Sequence, residues 1–360
     1  MVEFEDMNLS VGIVGLPNVG KSTLFNALLG RQIANIANYP FCTIDPNVGV
    51  VEVPDPKLRI LADIVKTTKI VPAVVEFVDI AGLVKGASTG EGLGNKFLAN
   101  IRECQAICHV VRDFHDVNVV KEGSLDPQSD LEVVWAELII KDLETIDKYL
   151  EQNEKRPENL KKLNLAQKLK TALEQGKLAV NLDLSEEEKA ILKEFFLLTA
   201  KPYFIVVNVG EESYKNIENW NLKIGNLNNI VPVCAKLENE LAQLSQEDQK
   251  TFLASYGLKQ SGLERVIPKA YEVLGLQSFY TAGIKEARAW TIKRGATAPQ
   301  AAGVIHTDFE RGFIMAEVTS YDDFVKYYGW DGVKAAGAIH HQGKTYIMQP
   351  DDVVEFRFNV

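Results

Sequence analysis

The residues that most clearly indicate chemistry are Gly15 to Ser22, which read G-L-P-N-V-G-K-S after a short apolar run. Gly15 and Gly20 remove side chains where the backbone must approach closely, so the N–H groups of such a loop can surround a polyphosphate. Lys21 is placed to reach the β- and γ-phosphates, and the hydroxyl of Ser22 is placed to ligate Mg²⁺. A helix that begins at Ser22 points the positive end of its dipole at the anion. The spacing therefore predicts a nucleotide-binding loop.

Two further segments are expected to complete the phosphate and metal site. Thr43 lies in N-Y-P-F-C-T-I-D-P, which is expected to be a loop that closes over the γ-phosphate. The Thr43 hydroxyl can then ligate Mg²⁺. The alternative is that Thr43 is an ordinary surface threonine. Asp79 ends an apolar, valine-rich run and begins D-I-A-G, where its carboxylate can hold Mg²⁺ through water. The Gly82 amide can contact the γ-phosphate, which makes Lys21 and Gly82 the candidate catalytic groups.

Leu83 occupies the position where many proteins with this motif carry a glutamine that orients the attacking water. Because leucine cannot polarise water, hydrolysis is expected to be slow, or to use a group from elsewhere in the chain or from a partner. The loop that follows, Val84 to Asn95, contains four glycines and is expected to be mobile, like a second switch.

The base-binding site is expected where two further strands end, after Val207 and after Val233. The first strand leads into N-V-G-E, where guanine-reading proteins have N-K-x-D and an aspartate that accepts from guanine N1–H and the 2-amino group. Val209 replaces the lysine, and Glu211 is a longer carboxylate that misplaces this bidentate contact. A guanine site with unpaired polar groups discriminates poorly, so the motif argues against strict GTP preference.

Composition narrows the class of protein. The chain has 360 residues, 46% hydrophobic and 24% charged, which suits two or three globular domains. Its net charge of −10 excludes binding of nucleic acid through the overall charge of the protein, so RNA contact would require a local basic patch. No apolar h-region follows Met1 and no run is long enough to cross a bilayer, which predicts a cytoplasmic protein without membrane contact.

The cysteines form no C-x-x-C pair and no disulfide framework, which agrees with a reducing compartment; they are Cys42, Cys104, Cys108 and Cys234. On a helix Cys104 and Cys108 would be one turn apart, and His109 is adjacent to Cys108. A metal site there is possible, but core packing is the preferred interpretation.

Alternating strands and helices predict an α/β fold with a mostly parallel sheet. From Asp130 to about Thr199 the pattern changes to long helices that suggest an antiparallel hairpin. Between Lys155 and Lys170 six basic residues and one acid give a local charge of +5. Such a run is usually a solvated helix face, and RNA or ribosome contact is the alternative.

From Phe279 onward, stretches of alternating residues indicate a small separate domain with strands at Arg288 to Ile292, Gly312 to Val318 and Val353 to Val360. Thr297 is expected to cap a short helix there. No nucleophile–base pair stands out in this part, and its histidines are expected to be structural or exposed.

Taken together, the motifs closely resemble the YchF subfamily of Obg-related P-loop proteins, the Obg-like ATPases, over essentially the full length. They are G-L-P-N-V-G-K-S, N-Y-P-F-C-T-I, D-I-A-G-L-V-K-G-A-S-T-G-E-G-L-G-N, R-A-W-T-I and G-A-T-A-P-Q-A-A-G-V-I-H-T-D-F. The resemblance implies an α/β P-loop G domain (1–128 and 200–276), a helical coiled-coil insertion (129–199) and a C-terminal β-grasp (TGS) domain (277–360).

The resemblance also implies roles for individual residues. It assigns nucleotide contacts to Asn18, Val19, Gly20, Lys21, Ser22 and Thr23, Mg²⁺ ligation to Ser22 and Thr43, and positions near adenine to Asn208 and Val209. Asn18 matches an asparagine that helps to hold K⁺ in potassium-stimulated relatives, which makes K⁺ a candidate cofactor. Bacterial relatives commonly place a histidine where an ungapped comparison gives Lys121, and His115 lies nearer the strand, so no catalytic histidine is carried over.

The leading hypothesis is a slow Mg²⁺-dependent ATPase that acts as a switch, with ATP ordering the Thr43 and Gly82 loops. The resemblance further implies association with the ribosome, in particular its large subunit, in translation or stress control, with RNA contact through the hairpin and the C-terminal domain. Two alternatives remain. One is a GTPase of the Obg group, and the other is a non-hydrolytic, nucleotide-gated module that holds ribosomal RNA or protein.

Overall fold

The computed structural model describes residues 10–31, 47–80, 93–114, 126–153, 160–217, 224 and 229–359; at 93–96 and at position 246 the backbone alone is described. The chain forms two compact units, residues 1–51 with 76–266 and residues 52–75 with 267–360.

Six strands form the sheet of the first unit: β1 (Ser10–Val14), β2 (Val48–Glu52), β4 (Val74–Asp79), β5 (Ala106–Asp113), β6 (Tyr203–Val209) and β7 (Ile230–Val233). Their order is β2-β4-β1-β5-β6-β7, and neighbouring strands from β4 to β7 run parallel. Every residue of β1 is buried, as expected for a parallel strand covered on both faces. The predicted α/β fold with a mostly parallel sheet is confirmed.

The helices of this unit are α1 (Lys21–Leu29), α3 (Leu93–Glu103), α4 (Pro127–Asn153), α5 (Leu160–Glu174), α6 (Glu186–Lys193), α7 (Glu211–Lys215), α8 (Ala235–Leu241) and α9 (Gln246–Ser255). The long helices predicted from periodicity are present as α4 and α5, which pack around an apolar core that includes Ile146, Leu165 and Leu169. Residues 154–159, which connect them, lie outside the described residues.

Asp142 ties the middle of α4 to the segment that leads back to the sheet. Its carboxylate is 1% exposed and accepts from the backbone N–H groups of Leu198 (2.9 Å) and Thr199 (2.7 Å). The Thr199 hydroxyl donates to the same carboxylate at 2.6 Å. Burial raises the pKa of Asp142, and the hydrogen bonds from Thr199 and Leu198 oppose that rise. The helical segment is therefore anchored by a buried polar contact as well as by its apolar core.

The second unit contains β3 (Ile70–Val71), β8 (Leu276–Ala282), β9 (Ala287–Lys293), β10 (Phe313–Ser320), β11 (His340–Gln342) and β12 (Asp352–Phe358). Its mixed sheet has the order β11-β10-β12-β8-β9-β3. The helix α11 (Ala298–Ile305) packs its alanines against Phe279 and Ile292 of the sheet. Thr297 forms the predicted cap, as a capping box with Gln300. The three predicted C-terminal strands are present, each within a few residues of the expected bounds.

Residues 52–75 run from the last residue of β2 to the second residue of β4, but they fold with the C-terminal unit. The helix α2 (Pro56–Val65) buries Leu58 and Leu61 and packs against β8 and β9, and β3 pairs in parallel with β9. The sequence-based division kept this segment within 1–128. The expected boundaries at 128, 199 and 276 are not addressed by this arrangement and stay predictions.

The helix α10 (Leu263–Val273) begins in the first unit, which ends at Val266, and continues into the second. The remaining helices of the second unit are α12 (Thr307–Arg311), α13 (Tyr321–Lys326) and α14 (Trp330–Ala335). Within the described part of the chain, none of the helices has the length and apolar character needed to span a bilayer.

Candidate functional site

The predicted phosphate loop joins β1 to α1, and its two glycines are required by close packing. A Cβ at Gly15 would lie 2.3 Å from the carbonyl oxygen of Val110 in β5. Gly20 has φ 98°, and a Cβ there would lie 2.2 Å from Nδ2 of Asn208. Strands β5 and β6 therefore leave room for the loop only when both positions lack side chains.

Lys21, Ser22 and Asp79 converge where β1 and β4 end. The Lys21 ammonium donates to the carbonyl of Leu16 at 2.8 Å, which holds it over its own loop. Burial lowers the pKa of Lys21, and the charge of Asp79 opposes that shift. Burial raises the pKa of Asp79, whereas Lys21 and a hydrogen bond with Ser22 lower it. The structure thus brings together the predicted phosphate-binding lysine and two of the three predicted metal ligands.

The donor set of this cluster fits Mg²⁺. Among the described residues, Oδ1 of Asp79 is buried and has no hydrogen-bond partner. An unpaired buried carboxylate oxygen is costly unless it meets a cation or a water, and Mg²⁺ prefers carboxylate and hydroxyl oxygens. The Ser22 hydroxyl beside Asp79 completes a pair of such donors.

The other residues of the loop take varied positions. Asn18 has φ 61°, in the left-handed region that asparagine tolerates well. Val19 is fully buried, and Thr23 is exposed on the first turn of α1. The predicted contacts of Thr43 and Gly82 lie outside the described residues, as do Leu83, His115 and Lys121.

Asn208 links the phosphate loop to the end of β7. Its Nδ2 donates to the carbonyl of Val19 at 2.9 Å, and its Oδ1 accepts from the N–H of Ala235 at 3.0 Å. The side chain is 6% exposed. Asn208 therefore connects the phosphate loop to the first residue of α8. The sequence predicted a position near the base for Asn208 but did not predict this structural role.

Val209 belongs to the core and not to a loop. The expectation that β6 ends at Val207 is wrong, because Asn208 and Val209 continue the parallel pairing with Arg112 and Asp113 of β5. Val209 is 1% exposed and packs among Val111 and other apolar side chains. Its side chain is therefore unavailable to a nucleotide, and only its backbone could contact an adenine.

Glu211 begins α7 and forms an ion pair with Lys236, the second residue of α8. The distance from Lys236 Nζ to Glu211 Oε1 is 2.8 Å. Lys236 was not singled out from the sequence. The available signal was its position in Cys234-Ala235-Lys236, directly after β7, since neighbouring parallel strands end at the same sheet edge.

A buried carboxylate fixes the helices that carry this ion pair. Glu238 of α8 is 1% exposed and accepts from the N–H of Gly262 (2.6 Å) and the hydroxyl of Tyr214 (3.2 Å) in α7. Burial raises its pKa, and the bond from Gly262 opposes that shift. Arg265 donates to Tyr214 (3.2 Å) and to the carbonyl of Pro232 (3.0 Å), so α7, α8 and β7 share one polar network.

The basic run on α5 is balanced by acids of the same unit. Four of its lysines form ion pairs: Lys161 with Glu187, Lys162 with Glu194 (2.6 Å), Lys168 with Glu188 (2.9 Å) and Lys170 with Asp147 (2.6 Å). Lys155 and Arg156 lie outside the described residues. The described part of the run is thus a solvated helix face paired with α6 and α4.

The alternative metal site at the cysteines is not formed. No cluster of three His, Cys, Asp or Glu residues suited to a metal occurs within the described ranges. Cys108 and His109 lie in β5, and Cys104 precedes that strand, so the helical spacing does not apply. Burial raises the pKa of the Cys104 thiol to about 11 and lowers the pKa of His109 to about 3. All three residues are core residues, as the preferred interpretation held.

Two family models match the chain. One is described as a 50S ribosome-binding GTPase and matches residues 10–166. The other is named YchF-GTPase_C, is described as a protein of unknown function (DUF933), and matches residues 276–359.

Full-length relatives are also similar to the chain. Proteins named "Ribosome-binding ATPase YchF" from Bacillus subtilis (strain 168) and Escherichia coli O157:H7 are each 48% identical over 98% of this chain and 100% of the relative. A solved structure described as the Schizosaccharomyces pombe YchF GTPase has a TM-score of 0.86 and 37% identity, and covers 97% of this chain and 98% of its own. These names agree on nucleotide hydrolysis but differ on the nucleotide.

Proposed function

The chain belongs to the YchF family, and from that membership we propose that it is a slow, Mg²⁺-dependent ATPase that acts as a nucleotide-controlled switch on the ribosome. The chain is a P-loop nucleotide hydrolase. The observation that carries the finer proposal is the convergence of Lys21, Ser22 and Asp79 at the phosphate loop.

In this proposal Ser22, Asp79 and Thr43 would hold Mg²⁺ at the phosphate loop. The bound metal would neutralise charge on the transferred phosphoryl group. Asn18 would hold K⁺ beside the phosphates, and equal hydrolysis rates in Na⁺ and K⁺ would contradict that part.

The protein groups contribute mainly position and charge. Lys21 is held by Leu16 over the loop, so its ammonium needs little reorganisation when a triphosphate binds. The loop amides and the N-terminus of α1 add positive potential, and the Gly82 amide would contact the γ-phosphate. With Leu83 in the water-orienting position, hydrolysis by positioning alone is slow, as suits a switch.

ATP is proposed as the preferred nucleotide because of Glu211. A carboxylate one methylene longer than the usual aspartate, engaged by Lys236, is poorly placed to accept from guanine N1–H and its 2-amino group. Asn208 and the Val209 backbone would lie near adenine. The relative described as a GTPase keeps the GTP alternative open to test.

The ribosome is proposed as the partner because the relatives are named for it and one matching family model is described as 50S ribosome-binding. Contact with the large subunit, and with RNA, would use the helical segment and the C-terminal domain, with its expected β-grasp (TGS) fold. Because the described lysines of α5 form ion pairs with acids of the same unit, recognition of the ribosome by shape and specific polar groups fits better than general electrostatic attraction.

The test combines binding and single-turnover hydrolysis. Calorimetric titration with Mg²⁺ and K⁺ should show tighter binding of ATP than of GTP. Radiolabelled ATP should be cleaved slowly by the protein alone and faster with ribosomes. The variant Lys21→Met, which replaces a buried ammonium with an apolar chain of similar length, should fold and lose cleavage. Binding without any cleavage, with or without ribosomes, would support the non-hydrolytic module instead.

A further inference from the structure

The ion pair between Glu211 and Lys236 lies at the sheet edge where the base is expected. We propose that Lys236 determines nucleotide specificity by neutralising and orienting the Glu211 carboxylate, so that adenine is accepted in preference to guanine. This inference rests on the proposed ATPase function and adds a residue that the motif itself does not include.

The position of Lys236 relative to Glu211 is set by contacts on both sides of the pair. Ala235, which precedes Lys236, donates its N–H to Asn208, three residues before Glu211. Below the pair, the Tyr214 hydroxyl of α7 donates to Glu238 of α8 at 3.2 Å. Exposed ion pairs are weak on their own, so it is this buried frame that brings the two side chains together.

The chemistry of the two bases explains why a neutralised carboxylate favours adenine. Guanine presents N1–H and a 2-amino group, both donors, whereas adenine presents an unprotonated N1 acceptor and a C2–H at the same edge. A free carboxylate would accept from guanine and would repel the N1 lone pair of adenine. With one oxygen engaged by an ammonium 2.8 Å away, Glu211 loses the attraction for guanine and the repulsion of adenine together.

The replacement of the motif's lysine by Val209 explains why the positive charge beside Glu211 comes from another segment. In N-K-x-D proteins the lysine stands in the position that Val209 fills here, two residues before the acid. Val209 is packed in the core, so the positive charge beside Glu211 comes from the end of the next strand. Specificity would then depend on two strand ends together.

The experiment measures the ratio of the dissociation constants for ATP and GTP in wild type and in Lys236→Met, with Mg²⁺ present. Both nucleotides carry the same triphosphate, so any general loss of positive charge near the phosphates cancels in the ratio. We expect the ratio to move toward GTP by about fivefold or more, the size expected when one charged hydrogen bond changes partner.

Lys215→Met is the matched control. Lys215 pairs with Glu212 at 3.0 Å, on the same helix and beside Glu211, and both side chains are exposed. This variant removes a lysine and breaks an ion pair with the neighbouring glutamate. The nucleotide ratio should stay at its wild-type value.

The double variant Glu211→Gln with Lys236→Met tests whether Lys236 acts through Glu211. In the Glu211→Gln background no carboxylate remains to be neutralised, so adding Lys236→Met should leave the ratio unchanged. An equal shift in both backgrounds would overturn the proposal, because Lys236 would then act by another route. An unchanged ratio in the single Lys236→Met variant would overturn it directly.

The same data separate this inference from the proposed function. The wild-type ratio tests ATP preference, and a wild type that binds GTP more tightly would refute that part of the proposed function. The shift between wild type and variant tests the role of Lys236 and is read independently of which nucleotide the wild type prefers.

Discussion

Gly20 combines two constraints at one residue, a positive φ and a lack of space. In Gly20→Ala the added Cβ would strain the backbone and meet the Asn208 amide, whose bonds hold the phosphate loop to β7. We expect a loss of about 2 to 4 kcal/mol in the free energy of unfolding, together with loss of nucleotide binding. Urea unfolding and ATP titration would measure both.

Gly176→Ala is the control for backbone strain alone. Gly176 has φ 75°, and a Cβ there would meet nothing within 4 Å. This variant should lose about 1 kcal/mol and bind ATP normally. Equal losses in the two variants would show that contact with Asn208 does not matter.

Asp79 is expected to oppose stability while it serves the metal. Because burial raises its pKa in the folded protein, the folded state binds the proton more tightly than the unfolded chain. Stability therefore falls as pH rises from the ordinary aspartate pKa through the raised one, and the loss is complete above it. Asp79→Asn should unfold at neutral pH no more easily than wild type, with a shallower fall across that window, and should lose Mg²⁺-dependent ATP binding.

Ser22→Ala distinguishes the effect of Asp79 on the pH dependence of stability from its effect on Mg²⁺ binding. Removing the hydroxyl also removes a hydrogen bond that lowers the pKa of Asp79, so the fall of stability with pH should become steeper. Mg²⁺-dependent binding should weaken as well. A shallower pH dependence in Ser22→Ala would contradict the assigned hydrogen bond.

The sequence predicted the residues of this site to the extent that they are close together along the chain. Gly15 to Ser22 is a continuous motif, and its chemistry follows from its spacing. Lys236 reaches Glu211 only because β6 and β7 lie side by side, a contact between segments 25 residues apart. Val209 was misplaced because strand pairing with β5 extends two residues beyond the apolar run that marks the strand.

At the scale of the elements, Asp142 is expected to matter more than any exposed acid of α4. Asp142→Ala would leave the buried N–H groups of Leu198 and Thr199 without their acceptor. We expect a loss of roughly 3 kcal/mol in the free energy of unfolding. Glu144→Ala, which removes a half-exposed partner of Lys141 on the same helix, should change it by less than about 0.5 kcal/mol. Similar losses in both variants would contradict the anchoring role.

The paired face of α5 can be tested by removing the acids instead of the lysines. The triple variant Glu187→Gln, Glu188→Gln and Glu194→Gln would release Lys161, Lys168 and Lys162 from their ion pairs. We expect affinity for unstructured RNA to rise several-fold at low salt and to depend more steeply on salt than in wild type. Filter binding over a salt series would measure this. Strong, salt-sensitive binding by the wild type would contradict the balance of charge described here.

Periodicity predicted α4 and α5 correctly because long amphipathic helices carry a strong local pattern. The ion pairs of α5 were not foreseeable in the same way. The run has a charge of +5 when it is counted alone, and the acids that balance it come from α6 and α4. Net charge over a window therefore overstates what the folded surface presents.

For the whole molecule, residues 52–75 should share their stability with the C-terminal unit and not with their neighbours in sequence. Leu61→Ala would open a cavity between α2 and the sheet that contains β8 and β9. We expect a loss of about 2 to 4 kcal/mol and faster amide hydrogen exchange within residues 276–358, with exchange in β1 and α1 unchanged. Mass spectrometry of exchanged peptides would show both.

Leu28→Ala provides the reciprocal control. Leu28 is a fully buried residue of α1 in the first unit. Its truncation should raise exchange around β1 and leave residues 276–358 unaffected. If Leu61→Ala instead loosened β1, the assignment of residues 52–75 to the second unit would be wrong.

That assignment also has a consequence for how the chain is made. Residues 52–75 leave the exit tunnel early, but their folding partners begin only at residue 267, about 190 residues later. At roughly 5–20 residues per second, the apolar face of α2 must wait on the order of ten to forty seconds for the strands that cover it. The apolar residues of this segment would thus stay uncovered for about half of the time in which the chain is made.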